Sequence, residues 1–372
     1  MTGDPAPAKA SAPHIAIRPE WLALQREAPL DPGLPIVDAH HHLWRFPDKV
    51  YEAGDLIADM ADGPRITSTV FVECKTGYRT DGPDALRSVG EMEFVNRQRD
   101  DARARGAAAD IAAASVGYAD LSLGDSVSPV LDALVKQSGG RLRSVRNISV
   151  WHADPAVRAS AATPPPRLLS NPAFREGLRC LIGRGLAFDA WLVHTQLEEL
   201  HDLARAFPSA SFVLNHVGGP LALGPYATQR AEVFAAWREQ MRQLAHLPNV
   251  AVKIGGFGMP LFGFGFASRE TPPDSATIAV AIAPYVDACI DAFGADRCML
   301  ESNFPVDKGS FNYNTLWNAF KRVTRKRSDR EIELLFGGTA TQFYQLAALP
   351  SRTLPLPCLP PFLRTTTSRC ST

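Results

Sequence analysis

Three histidines stand side by side in "IVDAHHHLWRFP", residues 36–47, at the end of an apolar run. Imidazoles bind metals, take protons from water and polarise substrate oxygens, provided the fold aims them at one point. Side chains alternate along an extended strand, so His40 and His42 share one face and His41 takes the other. Such a pair can grip a metal ion or a substrate oxygen. Further polar residues close other short apolar runs: Glu73 after "TVFV", Arg146 after "LRSV", His194 after "AWLV", His216 after "FVLN", Lys253 after "VAV" and Asn303 after "MLES".

The elements that must position them follow from the same runs. Strands are expected at about 35–41, 66–74, 111–118, 142–150, 186–194, 211–216, 249–254 and 298–303. Helical patterns separate most of them. In "QLEELHDLARAFP" Leu197, Leu200, Leu203 and Phe207 recur at helical spacing before Pro208; "EFVNRQRDDARARG" ends at Gly106 and "RAEVFAAWREQMRQLAHLP" at Pro248. Eight strands alternating with helices predict an α/β fold, a (β/α)8 TIM barrel. The alternative, an open doubly wound sheet, would carry a glycine-rich phosphate turn after an early strand, and none is present. Barrel active sites lie at the C-terminal strand ends, where these polar residues fall; His152, just past the fourth strand, is near the same mouth.

Each residue alone has an ordinary structural reading. An HxH pair caps a strand, His194 is a satisfied buried histidine, Glu73 pairs with Lys75 or Arg79, Lys253 snorkels and Arg146 pairs with an acid. Their joint occurrence at seven of the eight strand ends favours a functional ring.

These blocks carry a resemblance. "IVDAHHHLW" (36–44), "VFVEC…YRTDGP" (70–83), "FDAWLVHTQL" (188–197), "LNHVGGPL" (214–221), "VKIGGFGMP" (252–260) and "RCMLESNFPVDK" (297–308) resemble the amidohydrolase-related, metal-dependent hydrolases, barrels that include sugar lactonases and the pyrone-dicarboxylate lactonase. The resemblance spans about residues 34–345. It implies a hydrolase with an HxH site: His40 and His42 match the first-strand pair, His194 the fifth-strand histidine and His216 the sixth-strand histidine. His40, His42 and His194 would then hold a divalent metal, zinc by expectation, although metal-free lactonases also occur in the family. One position departs. The family's eighth strand ends in an aspartate that binds metal or acts as base, and here residue 303 is Asn, a poor ligand without useful basicity. Either another group takes the proton, with His216 and Glu73 better placed than Asp307, or the chemistry differs; Asn303 could still orient a water or a carbonyl.

Around this centre, Arg146 and Arg79 can hold a carboxylate and Lys253 or Arg146 can stabilise negative charge, while Trp44 and Phe46 add an apolar wall. The segment 255–275 sets four phenylalanines among glycines and reads equally as a packed loop and as a lid. The expected function is hydrolysis of a small organic substrate, a lactone or cyclic ester; a decarboxylase of the same superfamily and a non-catalytic small-molecule binder are the alternatives.

Composition bounds the rest. The 39 basic and 39 acidic residues cancel, which argues against nucleic-acid or anionic-membrane partners. Six scattered cysteines lack CxxC spacing, so reduced thiols are expected. No signal peptide and no run of transmembrane length are expected, and a cytoplasmic location follows. The domain plan is an N-terminal extension at 1–33, partly disordered, a barrel at 34–348 and a Pro-rich, disordered tail at 349–372.

Overall fold

The computed structural model describes residues 14–61, 63–157 and 162–349. Residues 1–13 of the expected extension and 350–372 of the expected tail lie outside the described residues. All eight expected strands form. They are β1 (Ile36–His41), β2 (Ile66–Val72), β3 (Asp110–Gly117), β4 (Leu142–Arg146), β5 (Ala187–Ala190), β6 (Phe212–Leu214), β7 (Val250–Ile254) and β8 (Cys298–Leu300). Each pairs in parallel with the next in chain order. The circle closes just past β8: Asn303 N donates to His40 O at 2.9 Å and His42 N to Phe304 O at 2.7 Å. The fold is a TIM barrel.

A helix follows each strand: α1 (Ala53–Met60), α2 (Val89–Ala104), α3 (Ser128–Gln137), α4 (Pro172–Ile182), α5 (Leu197–Ala206), α6 (Arg230–Ala245), α7 (Ser275–Phe293) and α8 (Tyr313–Thr324). α5 buries Leu197, Leu200 and Leu203, the stripe its spacing predicts. α7 corrects one expectation, because it is long and apolar enough to cross a membrane. It buries Ile278, Ile282, Val286 and Phe293 in the same core as the outward strand residues, as a barrel helix does.

Two apolar layers result. Val37, Ala39, Val70, Val72, Ala114, Val213, Ala251 and Met299 fill the barrel interior. Phe71, Phe188, Phe212, Val252 and Leu300 belong to the layer shared with the helices.

One irregularity sets the site. Asp38 pairs with Thr69 and His41 with Phe71, so β1 spends three residues where β2 spends two. This bulge breaks the alternation. Val37 and Ala39 face inward, and Asp38 accepts bonds on the helix side from Ser302 Oγ at 2.6 Å and Tyr313 OH at 2.9 Å. After the extra residue, His40 and His42 turn to the interior. His41 points outward, its Nε2 2.8 Å from Thr69 Oγ1.

Candidate active site

His40, His42 and His216 meet at the closing seam. His40 Nε2 lies 3.2 Å from His42 Nε2, and the His40 and His216 ring centroids are 4.6 Å apart. The structure adds a residue that strand-end reasoning misses, Glu301. Its Oε1 lies 2.6 Å from His216 Nδ1 and its Oε2 2.9 Å from His40 Nδ1, all fully buried or nearly so. β8 stops at Leu300, so the inward alternation set by Met299 delivers Glu301, two residues before Asn303. That alternation was the signal available in the sequence, because it puts Glu301 on the same inward face as Met299.

Ring orientation follows from fixed partners. His42 Nδ1 is 2.8 Å from the Val72 carbonyl, which only accepts, so Nδ1 carries the proton and Nε2 presents a lone pair toward His40. The short His40 Nδ1–Glu301 Oε2 approach lacks hydrogen-bond alignment, and both atoms are otherwise without partners among the described residues. Burial first, and nearby cations after it, hold all three histidines well below their ordinary pKa, hence neutral. Burial pushes Glu301 up to about 8.

These atoms fit a divalent cation. Neutral imidazoles with a carboxylate are the donor set of catalytic zinc sites, and a tetrahedral ion at about 2.0–2.1 Å separates two ligand nitrogens by about 3.3 Å. The His40–His42 pair has nearly that spacing. One ligand atom each from His40, His216 and Glu301 also lie within 4.8 Å of one another.

A cavity of about 300 Å³ opens onto the cluster, with His42, His216, Glu73, Arg146, Trp44 and Asn303 in its wall. Arg146 and Glu73 form a buried pair: Nε donates to Oε1 at 2.7 Å and Nη2 to the Glu73 carbonyl. Trp44 stacks on His42 at 6.2 Å, and Trp191, another residue absent from the expectations, meets His216 edge-on at 4.6 Å. His216 and Asn303 hold left-handed backbones, φ 51° and 54°, strain of the kind that gathers where side chains must be aimed.

Three expectations are corrected. His194 is not brought to the cluster: β5 ends at Ala190, and His194 Nδ1 accepts from Leu221 N while its ring packs on Tyr226, which also binds His152 Nε2 at 3.1 Å. Arg79 is not in the cavity wall; its Nε donates to Glu93 Oε1 at 3.0 Å. Lys253 faces inward but is wholly buried and spent on Asp189, 2.8 Å away. Asn303 keeps its place in the cavity wall, with Nδ2 donating to Asp307 Oδ1 at 2.9 Å, and Glu301 supplies the carboxylate that residue 303 lacks. The phenylalanines of 255–275 are also resolved. Phe257, Phe262 and Phe266 are buried, Phe264 packs against Phe257, Phe262 and Phe266, and only Met259 of this segment reaches the cavity.

A family model described as Amidohydrolase matches residues 37–346. This chain belongs to the amidohydrolase family. The amidohydrolase is 32% identical over 327 residues to an uncharacterized protein, y4mH, of Sinorhizobium fredii, covering 84% of this chain and 99% of that one. It is 27% identical over 329 residues to an L-fucono-1,5-lactonase of Burkholderia multivorans, covering 83% and 96%. Among solved structures, an amidohydrolase from Burkholderia multivorans with bound zinc shares the fold at TM-score 0.62 and 23% identity, over 84% of this chain and 99% of that one.

Proposed function

We propose that this amidohydrolase opens the lactone ring of a small organic molecule with water. The observation that carries the reading is the His216–Glu301 dyad, whose histidine lines the cavity. Above its raised pKa of about 8, Glu301 is ionised, Nδ1–H is held by the carboxylate and Nε2 is left to accept a proton from water. Water adds to the lactone carbonyl as His216 takes that proton, and Glu301 balances the imidazolium. The oxygen charge that develops falls near Arg146, whose Nη1 is not spent on Glu73. The ring C–O bond then breaks, and the leaving oxygen recovers the proton from His216, giving a hydroxy acid. A lactone suits this modest machinery better than an amide, since it is already a reactive ester. A divalent cation, zinc by our assignment, held by His40 and His42 would polarise the carbonyl and acidify water.

The named relative adds support, being a lactonase of a six-membered sugar lactone. Aromatic faces at Trp44 and Trp191 suit the C–H side of such a ring, and the Glu73–Arg146 pair offers both acceptor and donor to its hydroxyls.

The test is proton release from a panel of 1,4- and 1,5-lactones, with product identified as the ring-opened acid. Carbon dioxide from carboxylated phenols with every lactone untouched would make the protein a decarboxylase. Neither product, with ligand still bound, would make it a binding protein.

A further inference from the structure

Residues 14–33 form a strap laid over the loops that follow β7 and β8. Asparagines around and on α8 fasten it: Asn312 Nδ2 donates to Leu22 O and Gln25 O (2.9 and 2.6 Å), Asn314 Nδ2 to Glu27 O (2.6 Å) and Asn318 Nδ2 to Ala28 O (2.9 Å). Trp21 Nε1 donates to Arg269 O and Glu270 O at 3.1 and 3.0 Å. At Gly309 the strap passes so near that a Cβ there would stand 2.6 Å from Ile15 Cβ, so glycine is required. The strap thereby brings His14 to the cavity wall. There its ring meets Trp44 at 5.8 Å, the same indole that stacks on His42 and carries Lys49 Nζ at 5.1 Å. The family match begins only at residue 37, so this part of the wall is not supplied by the matched region.

A neutral imidazole offers one donor and one acceptor, the complement of a hydroxyl. Among the described residues neither nitrogen of this solvent-exposed ring has a hydrogen-bond partner. His14 is exposed on the cavity rim, and partial desolvation there, with Lys49 beside it, lowers its pKa and keeps that donor–acceptor character near neutrality; Asp48 opposes.

We propose that His14 is a specificity-determining residue, contacting polar substituents of a bound lactone that project from the histidine cluster toward the mouth. The inference rests on the lactonase reading above. A ring bearing hydroxyls gains the contact; an unsubstituted ring does not reach it.

The experiment compares full-length wild type, His14→Ala and His14→Gln on a hydroxylated 1,5-lactone (L-fucono- or glucono-1,5-lactone) and on δ-valerolactone. For the hydroxylated substrate, His14→Ala should raise KM about three- to tenfold with kcat little changed, the loss of one neutral hydrogen bond. The same variant should leave δ-valerolactone within about twofold, and His14→Gln should recover part of the loss. Equal effects on both substrates, or none on either, overturn the proposal. So does a lowered unfolding temperature with unchanged kinetics, which would make His14 an anchor of the strap alone. If wild type turns over no lactone, the lactonase reading fails by itself. Calorimetric binding of the corresponding aldonic acids then decides: weaker binding by His14→Ala sustains the contact, and equal binding overturns it.

Discussion

Two polar clusters share the barrel interior and differ in what they leave unpaired. In the upper one, His40, His42, His216 and Glu301 are buried, yet His40 and His42 turn Nε2 atoms toward each other and His40 Nδ1 stands beside Glu301 Oε2 without a bond. In the lower one, Asp189 takes Lys253 Nζ at 2.8 Å, Asn215 Nδ2 at 3.0 Å and Tyr344 OH at 3.3 Å, and Lys253 also lies over the Tyr344 ring. There only Asn215 Oδ1 lacks a partner among the described residues. Burial of polar groups is costly unless they are satisfied. The lower cluster meets that cost internally and holds the barrel together. The upper one keeps unpaired ring nitrogens and a carboxylate oxygen that can bind a cation, a water or a substrate. Sequence position does not separate them, because Lys253 and Glu301 both project inward from neighbouring strands.

The sharpest way to test the contrast is to remove one imidazole from the upper cluster. His216→Ala should lower kcat/KM by about 10²–10⁴-fold, the range for a general base, with little change in unfolding temperature. His41→Ala, on the outer face, should do the reverse. If the two variants lose comparable activity, the bulge in β1 does not divide their roles.

In the lower cluster the loss should appear as stability. Lys253→Ala strands a buried carboxylate and should cost about 3–5 kcal/mol, whereas replacing Lys253 and Asp189 together by Met and Leu should recover much of it. Chemical denaturation of the three proteins measures this. A stable Lys253→Ala protein with no activity would instead place Lys253 in the reaction.

Arg146 stands between the two cases, being paired with Glu73 yet exposed to the cavity. Arg146→Lys keeps the charge and loses the planar fork, so kcat/KM should fall by about 10-fold, a cost on the order of 1–2 kcal/mol. Unaltered kinetics with a lower unfolding temperature would assign it to structure alone.

A pH-dependent effect concerns Glu91, which accepts from Cys74 N and Thr76 N and so fixes the loop after Glu73. Burial, with Glu73 nearby, raises its carboxyl from 4.5 to about 8. The folded state therefore keeps a proton that the unfolded chain gives up, and stability falls as pH rises between those values and levels off above. Glu91→Gln should flatten that limb by at most about 1.4 kcal/mol per pH unit. Unchanged slopes in unfolding titrations at pH 5–8 would show that Glu91 is ionised in the fold.

The barrel was legible in the sequence because its information is local. Apolar β-branched runs at strand length, alternating with helical stripes such as Leu197, Leu200 and Leu203, need no partner to be read. The inward pair His40 and His42, His216, Arg146, Glu73 and Trp44 were legible for the same reason, each lying at or just beyond the end of such a run. Which residue a strand end aims inward is not local. It depends on where pairing stops, and β5 stops at Ala190 and β8 at Leu300, before the expected ends. The stop at Ala190 withdrew His194, while the alternation that turns Met299 inward delivered Glu301. The His40–His42 pair itself points inward only because a bulge interrupts the alternation that places Asp38 on the helix side. Closure of β1 against the chain after β8 sets that register, and it joins residues some 260 positions apart, for example Ser302 Oγ to Asp38 (|i−j| 264). The amino-acid order determined a (β/α)8 barrel with histidines at its mouth. Only tertiary pairing decided which polar side chains would face one another, because each inward residue is selected by its neighbours across the sheet.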